Sequence, residues 1–330
     1  MRLTFFLVAA LASTAAHADW SPVPRVNDNV VTVSYNGGSV SYSESNTNYD
    51  GRLRPFVYDM LAIRPALEAN LNSVVGAAVA QNGVAFQGGS LIGNLHARIQ
   101  PAAPGTLLLG IDGIGYQARS KYSGKKYGIS FSCTNTFSAN NLSLTGQYGA
   151  NDGVLLPSVG VTSNVDSSTD CDSNLEWMLP VVGNLLVNKV TGIIDSKLED
   201  GVRTAMNSVK GKLLYVPDPA YGIGLLRLVP QTLQITTADG RTVNIGQIIA
   251  NNMTYLLGNS QVDVQFGQGL NLLVVPGTSQ PRNSVFDENV VTLTVTSPSL
   301  TFAVKLSQHA IVDWQWRCVP KTPGGFCPEP

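Results

Sequence analysis

The sequence predicts an α+β fold, mostly β, in which a highly twisted antiparallel sheet wraps around a long amphipathic helix. Three observations predict it. The 330 residues include 32 glycines and many Val, Thr, Ser and Asn residues, a composition typical of sheets with frequent turns. Several long segments alternate apolar with polar residues, as antiparallel strands with one buried face do. One segment, 181–206, instead carries apolar residues at intervals of four.

The apolar stripe of this segment winds around its helix. Its members follow one another at intervals of four: Val182, Leu186, Val190, Ile194, Leu198, Val202 and Met206. A helix turns about 100° per residue, so each step overshoots one turn by about 40° and the stripe turns through about 240°. A flat partner cannot follow such a stripe, whereas a strongly twisted sheet can. We therefore expect a helix from near Pro180 to about Leu214 that is enclosed by strands.

A shorter helix shows the same spacing. We expect it to begin near Pro65, because proline suits the first helical position, and to stop at Asn82-Gly83. Its apolar residues again lie four apart: Ile63, Leu67, Leu71, Val75 and Val79. The winding stripe therefore occurs in two separate segments of the chain.

The remaining segments are predicted to be mostly strands. After the long helix, a hairpin at 232–245 turns at Asp239-Gly240, and a short helix at 246–257 follows. No polar linker divides the chain, so we expect one module over 19–330. The predicted strands lie at 29–35, 39–43, 91–100, 106–123, 127–137, 141–149, 153–165, 291–295, 300–306 and 312–316.

The first 18 residues have the features of a signal peptide. Arg2 precedes an apolar run, and Ala16-His17-Ala18 fits a small-residue cleavage site. We therefore expect a secreted or periplasmic protein. No later segment is long and apolar enough for a transmembrane span. The mature chain has 20 basic and 22 acidic residues, which offers no electrostatic attraction for nucleic acid.

The four cysteines are expected to form disulfides, because an even number in an exported protein is typical of them. Three pairings are open. We favour Cys318–Cys327, since the loop between them contains two prolines and two glycines and closes easily. That choice leaves Cys133–Cys171 as the second pair.

Enzyme motifs are absent from the sequence: we find no GxSxG elbow, HExxH, P-loop or CxxC. His96 and His309 lie in or beside predicted strands, where a structural role is expected. The segment 170–174, DCDSN, begins like a calcium loop but lacks the later Gly and Glu that such a loop needs. We therefore expect no enzymatic activity, no metal and no cofactor.

The apolar surface is the remaining candidate for function. Two helices with winding stripes and many long strands can either pack closed or leave an apolar channel between helix and sheet. Ligand pockets are largely apolar with few polar groups, so a channel would need no catalytic motif. The alternatives are a structural or surface-interaction protein with a closed core, and a hydrolase with an unrecognised site.

The order of elements resembles a known superfamily. The chain is predicted to contain a shorter helix, then long antiparallel strands, and then the segment 175–209, LEWMLPVVGNLLVNKVTGIIDSKLEDGVRTAMNSV. This order resembles that of the tubular lipid-binding (TULIP) superfamily, which includes bactericidal/permeability-increasing protein. The resemblance covers 55 to about 240. It implies a twisted sheet around the long helix, with a lipid or other apolar molecule between them. Some members join a strand to the long helix by a disulfide, but Cys171 here precedes the helix.

On this resemblance, we expect non-covalent binding or carriage of a lipid or other apolar small molecule, with transient membrane contact as a further expectation. The family's basic tip has no clear counterpart beyond a local cluster of Lys121, Lys125 and Lys126. The expected ligand-binding residues are apolar and face the sheet from the two helices: Leu67, Leu71, Val75, Leu186, Val190, Ile194, Leu198 and Val202.

Overall fold

The computed structural model describes residues 17–44, 53–81, 83–126, 129–149, 154–172, 228–277, 279–282 and 284–319. Long antiparallel strands dominate these ranges, and four helices accompany them, so the predicted α+β, mostly β class is confirmed. The helices are α1 (Leu53–Leu61), α2 (Ile63–Ala80), α3 (Ile245–Asn251) and α4 (Met253–Asn259). The first six strands are β1 (His17–Tyr35), β2 (Gly38–Ser43), β3 (Ala85–Pro101), β4 (Thr106–Lys126), β5 (Ile129–Gly149) and β6 (Leu155–Cys171). The others are β7 (Ile235–Thr236), β8 (Thr242–Val243), β9 (Gln261–Phe266), β10 (Val275–Pro276), β11 (Ser284–Thr296) and β12 (Thr301–Val319).

The described residues form two compact units. The larger contains those of 28–269 and 288–308, and the smaller contains those up to residue 27, those of 270–287 and those from 309 onward. Strands β1, β11 and β12 each contribute to both units, so the units are not successive stretches of chain. The single module predicted for 19–330 stays a prediction.

The strands are hydrogen-bonded in the order β10-β1-β12-β11-β9-β3-β4-β5-β6, and β2 pairs with β1. Every pairing whose register is described is antiparallel, as the alternating sequence pattern predicts. The hairpin between β1 and β2 turns at Asn36 and Gly37, whose φ angles are 45° and 75°. Both angles are positive, as a type I′ turn requires, which explains why an Asn-Gly sequence occurs there.

The strands at the β6 side of the sheet are longer than predicted. The segments predicted at 127–137 and 141–149 belong to one strand, β5, of 21 residues. Strand β4 also has 21 residues, and β3 extends from Ala85 to Pro101. Two strands were predicted here because Ala139-Asn140-Asn141 resembles a turn. In the structure the strand continues through a bulge at this point.

The shorter helix is present where the sequence predicts it. It begins at Ile63, and Gly83, with a φ of 71°, follows its end. Sequence reasoning missed α1, which precedes it. Its buried residues have helical spacing, but the polar segment before it masked the signal: Leu53, Phe56, Val57 and Met60.

Strands β3 to β6 have one buried face, which we call the inner face. In β4 its residues are odd-numbered before a bulge and even-numbered after it, for example Ile111 and then Ile114. In β5 the same change separates Ala139 from Leu142. Since a one-residue slip turns a strand over, the inserted residue keeps apolar side chains on one face of the sheet.

The bulges of neighbouring strands lie side by side. We call this feature the bulge line and define it by three residues with left-handed backbone, Gly93 in β3, Gly113 in β4 and Asn141 in β5, whose φ angles are 82°, 76° and 52°. Gly93 and Gly113 are packed together: a Cβ at Gly93 would lie 2.4 Å from the carbonyl oxygen of Gly113. Both positions therefore need glycine for conformation and for space.

Cys133 and Cys171 form a disulfide, so this predicted pair is confirmed. They are directly opposite on β5 and β6, with a Cα–Cα distance of 4.0 Å. The next pair, Ser132 and Asp172, is joined by a backbone hydrogen bond of 2.9 Å, which makes the cysteines a non-hydrogen-bonded pair, the closer of the two antiparallel arrangements. The bridge therefore joins two strands. Cys327 lies outside the described residues, so Cys318–Cys327 stays a prediction.

Two other predictions fall mostly or wholly outside the described residues. The long helix expected from near Pro180 to about Leu214 is among the residues that the structure does not describe. Residues 1–16 are also outside, while His17 and Ala18 belong to β1. The enclosed helix and the signal peptide therefore stay predictions.

We predict that Gly93→Ala destabilises the protein more than Gly105→Ala. Both glycines have left-handed φ angles, 82° and 74°, so both substitutions incur about 1–2 kcal/mol of backbone strain. Only the Cβ at position 93 would meet a backbone oxygen, whereas the space around Gly105 is open within 4 Å. Moving that backbone adds about 1–3 kcal/mol. Urea unfolding measures the difference, and equal losses of stability would contradict the packing of the bulge line.

Candidate functional site

Helix α2 covers an edge of β3 that pairs with no strand among the described residues. In the described residues, β9 pairs with β3 from His96 to Ile99, which leaves the earlier part of that edge open. Three polar side chains of α2, four residues apart, hydrogen-bond to the backbone of β3, and we call them the polar ladder: Arg64, Glu68 and Asn72. The Arg64 guanidinium donates to the carbonyl oxygens of Gly93 and Leu91, each at 2.7 Å. Glu68 accepts from the N–H of Leu91 at 2.8 Å, and Asn72 donates to the Gly89 carbonyl at 2.9 Å.

The spacing of this polar ladder follows from helix and strand geometry. Four helical residues rise about 6.0 Å, and two strand residues rise about 6.6–6.8 Å. Every second strand residue directs its backbone groups to the same edge, so side chains four apart on a helix meet Gly89, Leu91 and Gly93 in turn. The ladder thus satisfies an edge that would otherwise be open to pairing with another chain.

Tyr116 links the polar ladder to the inner face. Its hydroxyl donates a hydrogen bond of 2.6 Å to the side-chain oxygen of Asn72, and the residue is 2% exposed. Burial raises the pKa of Tyr116 far above its ordinary value, and the negative charge of Glu68 raises it further. The hydroxyl therefore remains a donor throughout the physiological pH range.

The predicted ligand-binding residues of α2 are part of the core. Leu67, Leu71 and Val75 are all at most 2% exposed and belong to the main apolar cluster. Their expected partners on the long helix lie outside the described residues: Leu186, Val190, Ile194, Leu198 and Val202. Ligand contact stays a prediction for all eight.

The inner face is less completely covered on β6 than on β5. Four apolar residues of β6 are only partly buried, and we call them the β6 row: Leu155, Val159, Val161 and Val165. Their direct partners on β5 are buried, for example Leu144 opposite Val161 and Ala139 opposite Val165. Sequence reasoning missed this row as a site, although its alternation of apolar with polar residues was visible.

The inner face becomes polar toward the disulfide. Asn135 of β5 lies directly opposite Ser120 of β4 and Thr169 of β6. Asn135 is 7% exposed, and within the described residues its side-chain oxygen has no hydrogen-bond partner. Such a buried acceptor costs about 1–3 kcal/mol unless a donor reaches it.

His96 lies on the opposite, outer face between two carboxylates. Its Nδ1 is 2.8 Å from Asp112 Oδ1, and its Nε2 is 3.6 Å from Asp263 Oδ1. Burial opposes ionisation of Asp263, but hydrogen bonds from Arg98 and Gln261 and the Arg98 charge outweigh it, so the pKa of Asp263 lies below its ordinary value. In the part of the chain that the structure describes, no hydroxyl or thiol hydrogen-bonds to His96 as a nucleophile would.

In the smaller unit, His309 has a similar environment. Its Nδ1 is 2.8 Å from Asp287 Oδ1. Nearby in sequence, Trp314 donates its indole N–H to the Arg282 carbonyl at 3.1 Å. Both His96 and His309 therefore have carboxylate partners. The absence of enzymatic activity stays a prediction.

Within the described residues, no three His, Cys, Asp or Glu side chains are placed to hold a metal ion. None of the helices that the structure describes has the length and apolar character needed to cross a membrane. Asp170 and Asp172 lie at the end of β6 and in the residue after it, and Asn174 is outside the described ranges.

Comparison with solved structures finds a weak structural likeness. No protein family and no curated protein matches the sequence. A crystal structure of lipopolysaccharide binding protein matches with 12% sequence identity and a TM-score of 0.29, over 91% of this chain and 86% of that chain. A likeness at this level assigns neither a family nor a function to the chain.

We predict that Asn72 and Tyr116 stabilise the protein together. Asn72→Ala leaves the buried Tyr116 hydroxyl without its acceptor, which costs about 1–3 kcal/mol. In the Tyr116→Phe background the same substitution costs less, because no hydroxyl is left unpaired. A double-mutant cycle by urea unfolding should therefore give a coupling above about 0.5 kcal/mol. Exposed Ser73→Ala is the control on the same helix, and additive effects of Asn72→Ala and Tyr116→Phe would contradict the link.

We also predict that Tyr116 makes stability fall at high pH. Its pKa is raised in the folded state, so its contribution is complete below about pH 10 and is lost as unfolded tyrosine ionises above it. From pH 8 to pH 11 the wild type should lose about 1.4 kcal/mol more than Tyr116→Phe. Unfolding at several pH values compares the two proteins, and parallel pH profiles would count against burial of this hydroxyl.

Proposed function

We propose that this protein binds and carries an apolar ligand without covalent chemistry, and that the ligand lies against the inner face along the β6 row. The observation that carries the proposal is the partial exposure of this row beside the fully buried side chains of β5. Each partly exposed apolar side chain gains stabilisation, about 25 cal/mol per Å² of apolar surface, when a ligand removes it from water.

The polar end of the inner face supports an amphipathic ligand. The β6 row, which Ser163 interrupts between Val161 and Val165, is followed on the same strand by Ser167 and Thr169. Asn135 lies opposite Thr169, and no donor from the described part of the chain reaches its buried side-chain oxygen. A lipid whose hydroxyl or amide donates to Asn135 would place its hydrocarbon chain along the β6 row.

Helix α2 supports the expected role of the long stripe at 182–206. In α2, residues four apart follow β3 along its length, in both its apolar stripe and its polar ladder. We propose that the second stripe follows the inner face in the same way. On this proposal, the residues from Leu186 to Val202 and those of the β6 row would face the ligand from opposite sides.

We predict that Val161→Gln weakens binding of an apolar probe about tenfold. The substitution replaces hydrocarbon that the bound probe would cover with a polar amide. Ser168→Gln is the matched control, since Ser168 is an exposed outer-face residue of the same strand. Titration with a fluorescent fatty acid gives the affinities, and circular dichroism checks that both variants fold.

Native mass spectrometry of the purified protein provides the second measurement. Co-purified lipid that is reduced in Val161→Gln and retained in Ser168→Gln would support carriage. If the protein carries no lipid and does not bind the fluorescent probe, the proposal is contradicted and a structural protein with a closed core is favoured. Hydrolytic activity lost in His96→Ala or His309→Ala would favour the hydrolase alternative.

A further inference from the structure

A pocket of about 510 Å³ opens at the bulge line on the outer face. This volume is within the range of about 300–1,000 Å³ that is usual for small-molecule sites. It is separate from the inner face, where the apolar ligand is proposed to lie. The side chains that the argument uses come from β3, β4 and β5: Ile92, Asp112, Asn140, Asn141 and Ser143.

The bulge line brings the polar groups of this pocket together. In a regular strand, consecutive side chains point to opposite faces, but Asn140 and Asn141 are both exposed because the bulge lies between Asn140 and Ser143. Asn141 has a left-handed φ of 52°, a conformation that asparagine tolerates better than most residues. Two amides of one strand therefore line the same pocket.

Asp112 is held in place by a neighbouring strand. Its Oδ1 is 2.8 Å from Nδ1 of His96 in β3, while 50% of the side chain remains exposed. The carboxylate thus keeps acceptor capacity toward the pocket. The glycines beside it keep the space open, since a Cβ at Gly115 would lie 3.0 Å from the side chain of Ile92.

The chemistry of the lining indicates the ligand class. Among the described residues that line the pocket, Asp112 is the charged one and none is Lys, Arg or His, so the lining itself offers no positive charge to an anion. Each amide offers a donor and an acceptor, and Ser143 adds a hydroxyl. Neighbouring hydroxyls of a sugar ring need such paired donors and acceptors, while the exposed side chain of Ile92 suits its C–H surface.

We propose that this pocket binds a neutral saccharide, with Asp112, Asn140 and Asn141 as the hydrogen-bonding residues. This goes beyond the carriage of an apolar ligand and does not depend on it. Asp112 accepts from sugar hydroxyls, and the two amides bind adjacent oxygens.

Nuclear magnetic resonance titration of the full ¹⁵N-labelled protein tests the proposal. The probes are glucose, galactose, mannose, N-acetylglucosamine and maltose, each to about 50 mM, which detects affinities weaker than 1 mM. At least one should give saturable shifts at Gly113, Gly115 and Leu142. Putrescine is added separately, since a primary amine is the other ligand that a single carboxylate suits.

Two variants and a control locate the binding. The double variant Asn140→Ala/Asn141→Gly removes both amides while glycine keeps the left-handed backbone, and it should weaken saccharide binding at least tenfold. Asp112→Asn should also weaken it. Asn164→Ala, opposite Asn140 on β6 but outside the pocket, should leave it unchanged.

The outcomes are distinct from those for the apolar ligand. Fatty-acid binding is measured in the same variants and should be unaffected, so loss of one activity does not imply loss of the other. The saccharide proposal is overturned if no sugar gives saturable shifts, if the variants bind sugar like the wild type, or if putrescine alone binds.

Discussion

The match between the rise of a helix and the rise of a strand is the constraint on which this part of the fold depends. Four residues of α2 rise almost as far as two residues of β3, so Arg64, Glu68 and Asn72 meet successive backbone groups of one strand edge. The polar side chains of α2 hydrogen-bond to backbone groups of β3 that no described strand pairs with. The adjacent apolar stripe of α2 fills the core at the same time. The polar ladder and the apolar stripe of this helix therefore both advance by four residues.

The bulge line allows long strands to keep one face apolar. Strands of 21 residues twist continuously, and an inserted residue changes which positions face the core. At Gly93 and Gly113 the backbones approach too closely for a side chain. The same irregularity that keeps the inner face apolar turns Asn140 and Asn141 outward, so core and pocket have a common structural cause.

The two faces of β4 and β5 therefore differ in chemistry. The inner face has the partly exposed β6 row at one end and, at the other, the oxygen of Asn135, which no donor among the described residues reaches. This arrangement is suited to an amphipathic molecule. The outer face has Asp112 held by His96 beside two amides. Tyr116 joins α2 to the inner face through a hydrogen bond whose strength comes from its burial.

The sequence by itself determined the fold class, most strands and α2, because alternation of apolar with polar residues and helical spacing are local signals. It offered Cys133–Cys171 only as the pair that remained once Cys318–Cys327 was favoured, and the register of β5 and β6 decided it. It did not reveal that Arg64, Glu68 and Asn72 bind a strand edge, although their spacing was visible, since the same spacing is usual on a solvated helix surface. Nor did it align Gly93, Gly113 and Asn141, or join Asp112 to His96. These placements depend on strand register, which tertiary structure decides because side chains far apart in the chain become neighbours only when strands pair.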